Sequence, residues 1–296
     1  MKIFVAGAAG YIGGTVADAL LRAGHAVTGL VRSPERAAAL RERGIVPVVG
    51  TLADLAVLAT AARAADAVVH AANADDKASV VGLLDALRGS GKAFVHTSGA
   101  GIVADGADGE PTDRVHDEAT PVAPLPERRP RVALNEAIRA AAGEGVRTVV
   151  IAPPMIYGRG RGLKTDSAQV PKLFAVARAR GAACCIGRGL NVWSNVHVDD
   201  LAALYLRVLE AAPPGAFYYA ENGEQSIRET AAAIGRRLGV GDRVEGLAPA
   251  DAASLFGEAA VRLSFGSNCR ERAARARSEL GWSPSHASLN DEIARH

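Results

Sequence analysis

Ile3-Phe4-Val5-Ala6-Gly7-Ala8-Ala9-Gly10-Tyr11-Ile12-Gly13 decides how the rest of this chain is read. Four apolar residues make a short buried strand, and a glycine-rich turn leads from it into an amphipathic helix. Gly7 permits the tight turn, Gly10 lets backbone N–H groups approach a pyrophosphate, and Gly13 lets the helix lie close on the strand. The phosphates then sit at the positive end of a helix that starts near Ile12. Gly7, Ala9, Gly10, Tyr11, Ile12 and Gly13 are therefore read as the phosphate turn of a dinucleotide site.

Outward from this turn, apolar runs and helical patterns alternate through the first half. Strands are expected at 3–6, 26–31, 46–49, 67–71, 93–97 and 148–152, and helices at 14–23, 34–43, 54–62, 78–89 and 132–143. Such alternation, with almost continuously apolar strands, predicts an α/β fold with a parallel sheet covered on both faces. Gly24 and Gly44 fall just past helix ends, where a left-handed residue is wanted. Residues 105–130 break the rhythm with a polar, proline-punctuated loop after the fifth strand, at the sheet edge where open α/β folds bind ligands. Beyond Tyr157 the pattern loosens. The expected division is a dinucleotide-binding domain of 1–157 plus 192–212, and a smaller interleaved substrate domain of 158–191 plus 213–296.

Composition narrows the function. With 34 basic and 32 acidic residues interspersed over 296, the net charge of +2 gives no electrostatic case for nucleic acid or an anionic membrane. No apolar stretch approaches the roughly 20 residues needed to span a bilayer. The N-terminus reads as a strand rather than a charged leader, so a cytoplasmic protein is expected. Cys184, Cys185 and Cys269 have no metal-type spacing and read as reduced thiols; no metal site is expected.

Six landmarks occur in order: Gly7-x-x-Gly10-x-x-Gly13, Val69-His70-Ala71-Ala72, Thr97-Ser98-Gly99, Pro153-Pro154-Met155-Ile156-Tyr157-Gly158, Val196-His197-Val198-Asp199-Asp200 and Gly281-Trp282-x-Pro284. Together they resemble the short-chain dehydrogenase/reductase superfamily in its extended, nucleotide-sugar-epimerase-like form, over nearly the whole chain. The resemblance implies a Rossmann-type doubly wound sheet and a bound NAD(P), with Leu52, Ala71, Ala72, Thr97, Pro153 and Ile156 beside the cofactor. NAD-preferring relatives place an acidic residue after the second strand. Arg32 stands there instead, with Ser33 and Arg36 near it, which favours NADP(H) over NAD(H) through a 2′-phosphate contact. Relatives also pair through helices equivalent to 78–89 and 132–143, which points to a homodimer.

The resemblance also exposes an omission. Family chemistry rests on a Tyr-x-x-x-Lys pair with a nearby Ser or Thr, the tyrosine exchanging a proton with substrate while the lysine lowers its pKa. No tyrosine lies between Ile12 and Ile156, and no lysine between Ala93 and Leu163. In their place stands Arg128-Arg129-Pro130-Arg131-Val132-Ala133-Leu134-Asn135, where Arg131 and Asn135 share one helix face; Arg128 is a second occupant for the tyrosine position. Ser98, Tyr157 and Arg131 are the expected catalytic residues, with His197 as a further proton donor and arginine as a stabiliser of a developing alkoxide. Three functions fit: hydride transfer on a small organic carbonyl or alcohol, nucleotide-sugar epimerisation or dehydration, and a non-catalytic NADP(H)-binding sensor. Many sugar-nucleotide binders carry an arginine shortly before the Val-Asp-Asp segment; Trp193 near that place suggests a more apolar ligand.

Overall fold

The computed structural model describes residues 1–295. Its first half is β1 (Lys2–Ala6), α1 (Tyr11–Arg22), β2 (Ala26–Val31), α2 (Pro34–Arg41), β3 (Val46–Val49), α3 (Leu55–Ala64), β4 (Ala67–His70), α4 (Lys77–Leu87) and β5 (Ala93–Thr97). After a long connection come α5 (Arg129–Ala140), β6 (Arg147–Ala152), β7 (Met155–Tyr157), α6 (Gln169–Arg180), β8 (Ala183–Ile186), β9 (Val192–His197), α7 (Val198–Ala211) and β10 (Ala216–Tyr219). The remainder is β11 (Glu224–Ser226), α8 (Ile227–Leu238), β12 (Val244–Leu247), α9 (Pro249–Phe256), the single turn α10 (Glu258–Ala260), α11 (Ala274–Leu280) and α12 (Leu289–Arg295).

Seven strands form one parallel sheet in the order β10-β6-β5-β4-β1-β2-β3. The order reverses beside β1, and that reversal opens a crevice at the carboxyl ends of β1 and β4. This is the Rossmann-type architecture expected from the alternation of strands and helices. β1, β4 and β5 are buried along nearly their whole length, as strands covered on both faces must be. A second small sheet, β11-β9-β7, and the pair β12-β8 stand beyond the carboxyl edge.

Local chemistry fixes the helix ends that matter for the site. Ser33 caps α2, accepting from the Arg36 amide, with Pro34 in the first turn where its missing N–H is harmless. Asp76 caps α4 through the Ser79 amide. Gly10 caps α1 without any side chain, which leaves the first-turn N–H groups open toward the crevice.

Candidate functional site

The glycine turn is required sterically. Gly7 has φ +103°, and a β-carbon there would overlap the Ala71 carbonyl; one on Gly13 would overlap the Gly7 carbonyl. The Gly10 amide closes the turn onto the Gly7 carbonyl at 2.8 Å. The resulting cradle opens into a cleft of about 840 Å³ lined by Gly7, Ala9, Gly10, Arg32, Arg36, Thr51, Leu52 and Ala72. Of the expected turn residues, Tyr11 does something else: it is buried, and its hydroxyl reaches the carbonyls of Tyr157 and Gly158 at 2.9 and 2.7 Å.

Those two bonds begin a strap. Residues 158–164 fold back over the start of α1, where Gly162 lies against Gly14 so closely that neither could carry a side chain unchanged. The Arg161 amide donates to Thr15 Oγ1 at 3.0 Å, the Arg43 guanidinium donates to the Arg161 carbonyl at 2.7 Å, and Arg161 itself forks onto Asp199. The strap brings Leu163 and Lys164 into the wall of the cleft. Lys164 thus joins Arg32 and Arg36 there, and none of the three side chains has a hydrogen bond or ion pair among the described residues. Thr51 and Asp54 bond each other, so the Thr51 amide is already taken.

At the other end of the crevice the expected residues separate into two groups. The Thr97 hydroxyl lies 2.5 Å from Tyr205 on α7, in the core, and so supports the fold. Tyr157 donates to the Ala287 carbonyl at 2.7 Å and stands edge-on to His197. His197 Nδ1 accepts the Asp199 amide as the cap of α7, and its ring stacks on His286 at 3.9 Å. Burial also pushes the Tyr157 phenol up, away from ready ionisation. These bonds tie the Tyr157 hydroxyl and His197 Nδ1 to structural tasks, while the His197 ring also lines a cavity with Arg159, Arg161 and His286.

The second group is buried and unpaired. Ser98 donates its amide to the Ile151 carbonyl, but its hydroxyl has no partner; nor do Nε of Arg128, either amide atom of Asn135, or Nε2 of His96. Buried polar atoms nearly always find partners in native proteins, so such a cluster marks a place built for something else. Arg131 lies beside it. A β-carbon on Gly99 would stand 3.4 Å from its guanidinium, which also forks onto Asp75 at 2.7 and 2.5 Å. That fork holds the Asp75 carboxyl below the usual carboxylate range. Gly99, having no side chain, gives the arginine its room. Pro153 accepts the Ala100 amide at 2.9 Å and Ile156 is buried in β7, so both form wall.

Beneath this cluster His70 and His96 face each other through Nδ1 at 3.2 Å, and His70 Nε2 lies 3.3 Å from the Ser79 hydroxyl. The Ser79 hydroxyl donates to the Asp76 carbonyl. It must therefore accept from His70, which leaves His70 Nδ1 to accept from His96 and leaves His96 Nε2 a bare lone pair. Burial lowers the two pKa values to about 4 and about 3, so both rings are neutral near pH 7.

Among the described residues one group, His197, Asp199 and His286, brings metal-ligand types within 4.8 Å of one another. Its carboxylate is already held by Arg161 and one ring nitrogen by the helix cap, so the group serves structure. The three cysteines are buried and free. No helix is long and apolar enough to cross a membrane among the described residues.

With this geometry established, the sequence matches the family described as "NAD dependent epimerase/dehydratase family" over residues 3–219. An uncharacterised protein of Schizosaccharomyces pombe is 34% identical, covering 99% of this chain and 98% of its own length. Oxidase ucsJ of an Acremonium species is 32% identical over 99% of this chain and 95% of its own. Among solved structures, the dTDP-glucose 4,6-dehydratase of Bacillus anthracis in complex with NAD superposes with a TM-score of 0.78 at 18% identity, covering 99% of this chain and 95% of that one.

Proposed function

Because this chain belongs to the NAD-dependent epimerase/dehydratase family, we propose that it is an oxidoreductase that uses NADP(H) on a small organic carbonyl or alcohol. The observation that carries the cofactor choice is the trio Arg32, Arg36 and Lys164, unpaired cations on the wall of the cleft that begins at the glycine turn. An adenosine 2′-phosphate is the dianion such a trio would hold, and no carboxylate is among the residues that line this cleft. The cradle at Gly7 and Gly13 fits a pyrophosphate because any β-carbon would fill it. When bound, the cofactor supplies or removes a hydride. The chain's own part is to hold the dinucleotide, exclude water beneath the strap, and steady charge on a reacting oxygen through Arg128 and Arg131.

Names among the relatives favour redox chemistry over sugar chemistry: one is an oxidase, and a 29% identical Stigmatella aurantiaca protein is a quinoline-oxide ketoreductase. Trp193 agrees. It is buried with its indole donating to the Ser267 carbonyl at 2.7 Å, so apolar core stands where sugar-nucleotide binders often carry a cation. Segments 158–191 and 213–296 are read as the substrate side apart from two pieces: Leu163 and Lys164 line the cofactor cleft, and β10 belongs to the central parallel sheet. A homodimer and a cytoplasmic setting belong to the same reading, the first supported by the exposed Val81 on α4 and the second by the free thiols.

Fluorescence titration tests the proposal. NADPH is expected to bind at least about tenfold more tightly than NADH, since a charge-assisted hydrogen bond contributes roughly 1.5–3 kcal/mol. Arg32→Asp and Lys164→Ala should each weaken NADPH and leave NADH within about threefold. Equal affinity for the two dinucleotides would break the NADP assignment, and failure to bind either would break the oxidoreductase reading.

A further inference from the structure

One residue ties the strap to three different parts of the fold. Arg161 donates its amide to Thr15 Oγ1 of α1 at 3.0 Å and its guanidinium to Asp199 of α7 at 3.2 and 2.7 Å. Its carbonyl accepts from the Arg43 guanidinium at 2.7 Å. Thr15 Oγ1 in turn donates to the Tyr11 carbonyl, so the first tie rests on the frame of α1. The strap needs such ties. Glycine stands at 158, 160 and 162, because a β-carbon at Gly160 would overlap the Tyr11 ring and one at Gly162 would overlap Gly14. Glycine loses more backbone freedom on ordering than any other residue, so close packing here leaves the course of the segment to its hydrogen bonds. The Gly160 amide donates to the Thr165 carbonyl at 2.8 Å and closes a loop that holds both Arg161 and Lys164.

The tie from Arg43 has a place of its own. Arg43 stands two residues past α2, where the helical course continues: the Glu42 amide bonds the Ala38 carbonyl, and the Arg43 amide bonds the Leu40 carbonyl. Arg36, Ala39 and Arg43 are spaced i, i+3, i+7 and share one side of that helix. Arg36 and Ala39 line the cofactor cleft; Arg43 does not. The cleft thus has Arg36 on a wall made by α2 and Lys164 on a wall made by the strap, and the bond from Arg43 to Arg161 joins the two walls directly. Arg43 is exposed and bonds no carboxylate among the described residues, so this carbonyl is what holds its guanidinium. Lysine is a point charge on a flexible four-carbon stem, and where its charge acts depends on where the backbone holds it.

We propose that Arg43 is a positioning residue for the adenosine 2′-phosphate: by donating to the Arg161 carbonyl it holds the strap to α2, so that Lys164 and Arg36 meet the same phosphate. This rests on the NADP(H) reading above. Arg43 touches no part of the dinucleotide and acts through Lys164. The preference for one dinucleotide over the other is then set partly by a side chain outside the cleft.

Fluorescence titration of the full chain with NADPH and NADH tests this through Arg43→Met, which keeps a long stem and removes the donor. The Kd for NADPH is expected to rise at least about fivefold, and that for NADH, which lacks the phosphate, to stay within about twofold. The second measurement combines Arg43→Met with Lys164→Ala. If Arg43 acts through Lys164, the double variant binds NADPH as Lys164→Ala alone does. A direct effect of the Arg43 charge would persist without Lys164, and a general loosening of the fold would weaken both dinucleotides. Additive losses in the double variant, or equal weakening of NADH, overturn the assignment. A wild-type preference for NADPH that Arg43→Met retains in full sinks this inference alone, whereas a wild type that binds the two dinucleotides equally sinks the NADP(H) reading with it.

Discussion

The two ends of the crevice are built on opposite plans. Around the glycine turn the wall is mostly backbone, its cations are unpaired, and the cleft is open. Beside Ser98 and Asn135 the wall is side chain, the polar atoms are buried, and the cations Arg128 and Arg131 are packed against Gly101 and Gly99. The first end is open to water and positively charged. The second holds polar groups away from water, where each unmet hydrogen bond costs about 1–3 kcal/mol. One end tolerates little change of backbone; the other is built from a stretch, 93–156, that holds neither tyrosine nor lysine.

The sharpest way to break this contrast is Gly13→Val. Its side chain would meet the Gly7 carbonyl and the Ala71 methyl, so helix and strand must part. Dinucleotide binding should fall below detection, with a loss of about 3 kcal/mol or more in urea unfolding. A variant that still binds NADPH normally would show that the turn is not a cradle.

How much of this was legible in the sequence follows the same division. The turn could be read because steric demands on backbone leave few residue choices, and Arg32 because it follows β2 directly. Lys164 could not: it reaches the cleft only because residues 158–164 fold back onto α1, more than a hundred residues earlier in the chain. The place of β10 was equally hidden: nothing local says that residues 216–219 return to the parallel sheet beside β6. The omission of Tyr and Lys was visible in the sequence. Short β7, β11 and β12 escaped detection because three or four residues carry too little periodicity to separate from loop. The helices of the last fifty residues escaped because they are short and interrupted.

A smaller effect should separate the buried end from the open one by pH. His70 and His96 titrate near 6.5 when unfolded but at about 4 and about 3 when folded, so the unfolded chain binds more protons throughout that interval. Their contribution is fully present above pH 6.5 and is lost as pH falls toward 4 and then 3, at up to about 1.4 kcal/mol per pH unit for each ring. Melting curves should show Tm falling across this window, and His96→Phe should flatten the slope. A slope unchanged in that variant would mean that the ring is not held neutral.

The smallest effect concerns Thr97, one residue from the unpaired Ser98. Thr97→Val strands the Tyr205 hydroxyl in the core and should cost about 1–3 kcal/mol in chemical denaturation. NADPH affinity should stay within about threefold. A large loss of binding without loss of stability would return Thr97 to the cofactor site and blur the boundary between fold and function.

The strap carries a consequence for how such a protein can be altered. A run of only a dozen residues carries Pro153, whose carbonyl accepts the Ala100 amide, and Leu163 and Lys164, which line the cleft at the glycine turn, anchored midway by the Tyr11 hydroxyl. On the proposed function, a change that reshapes this loop alters the wall at both ends of the crevice in the same step.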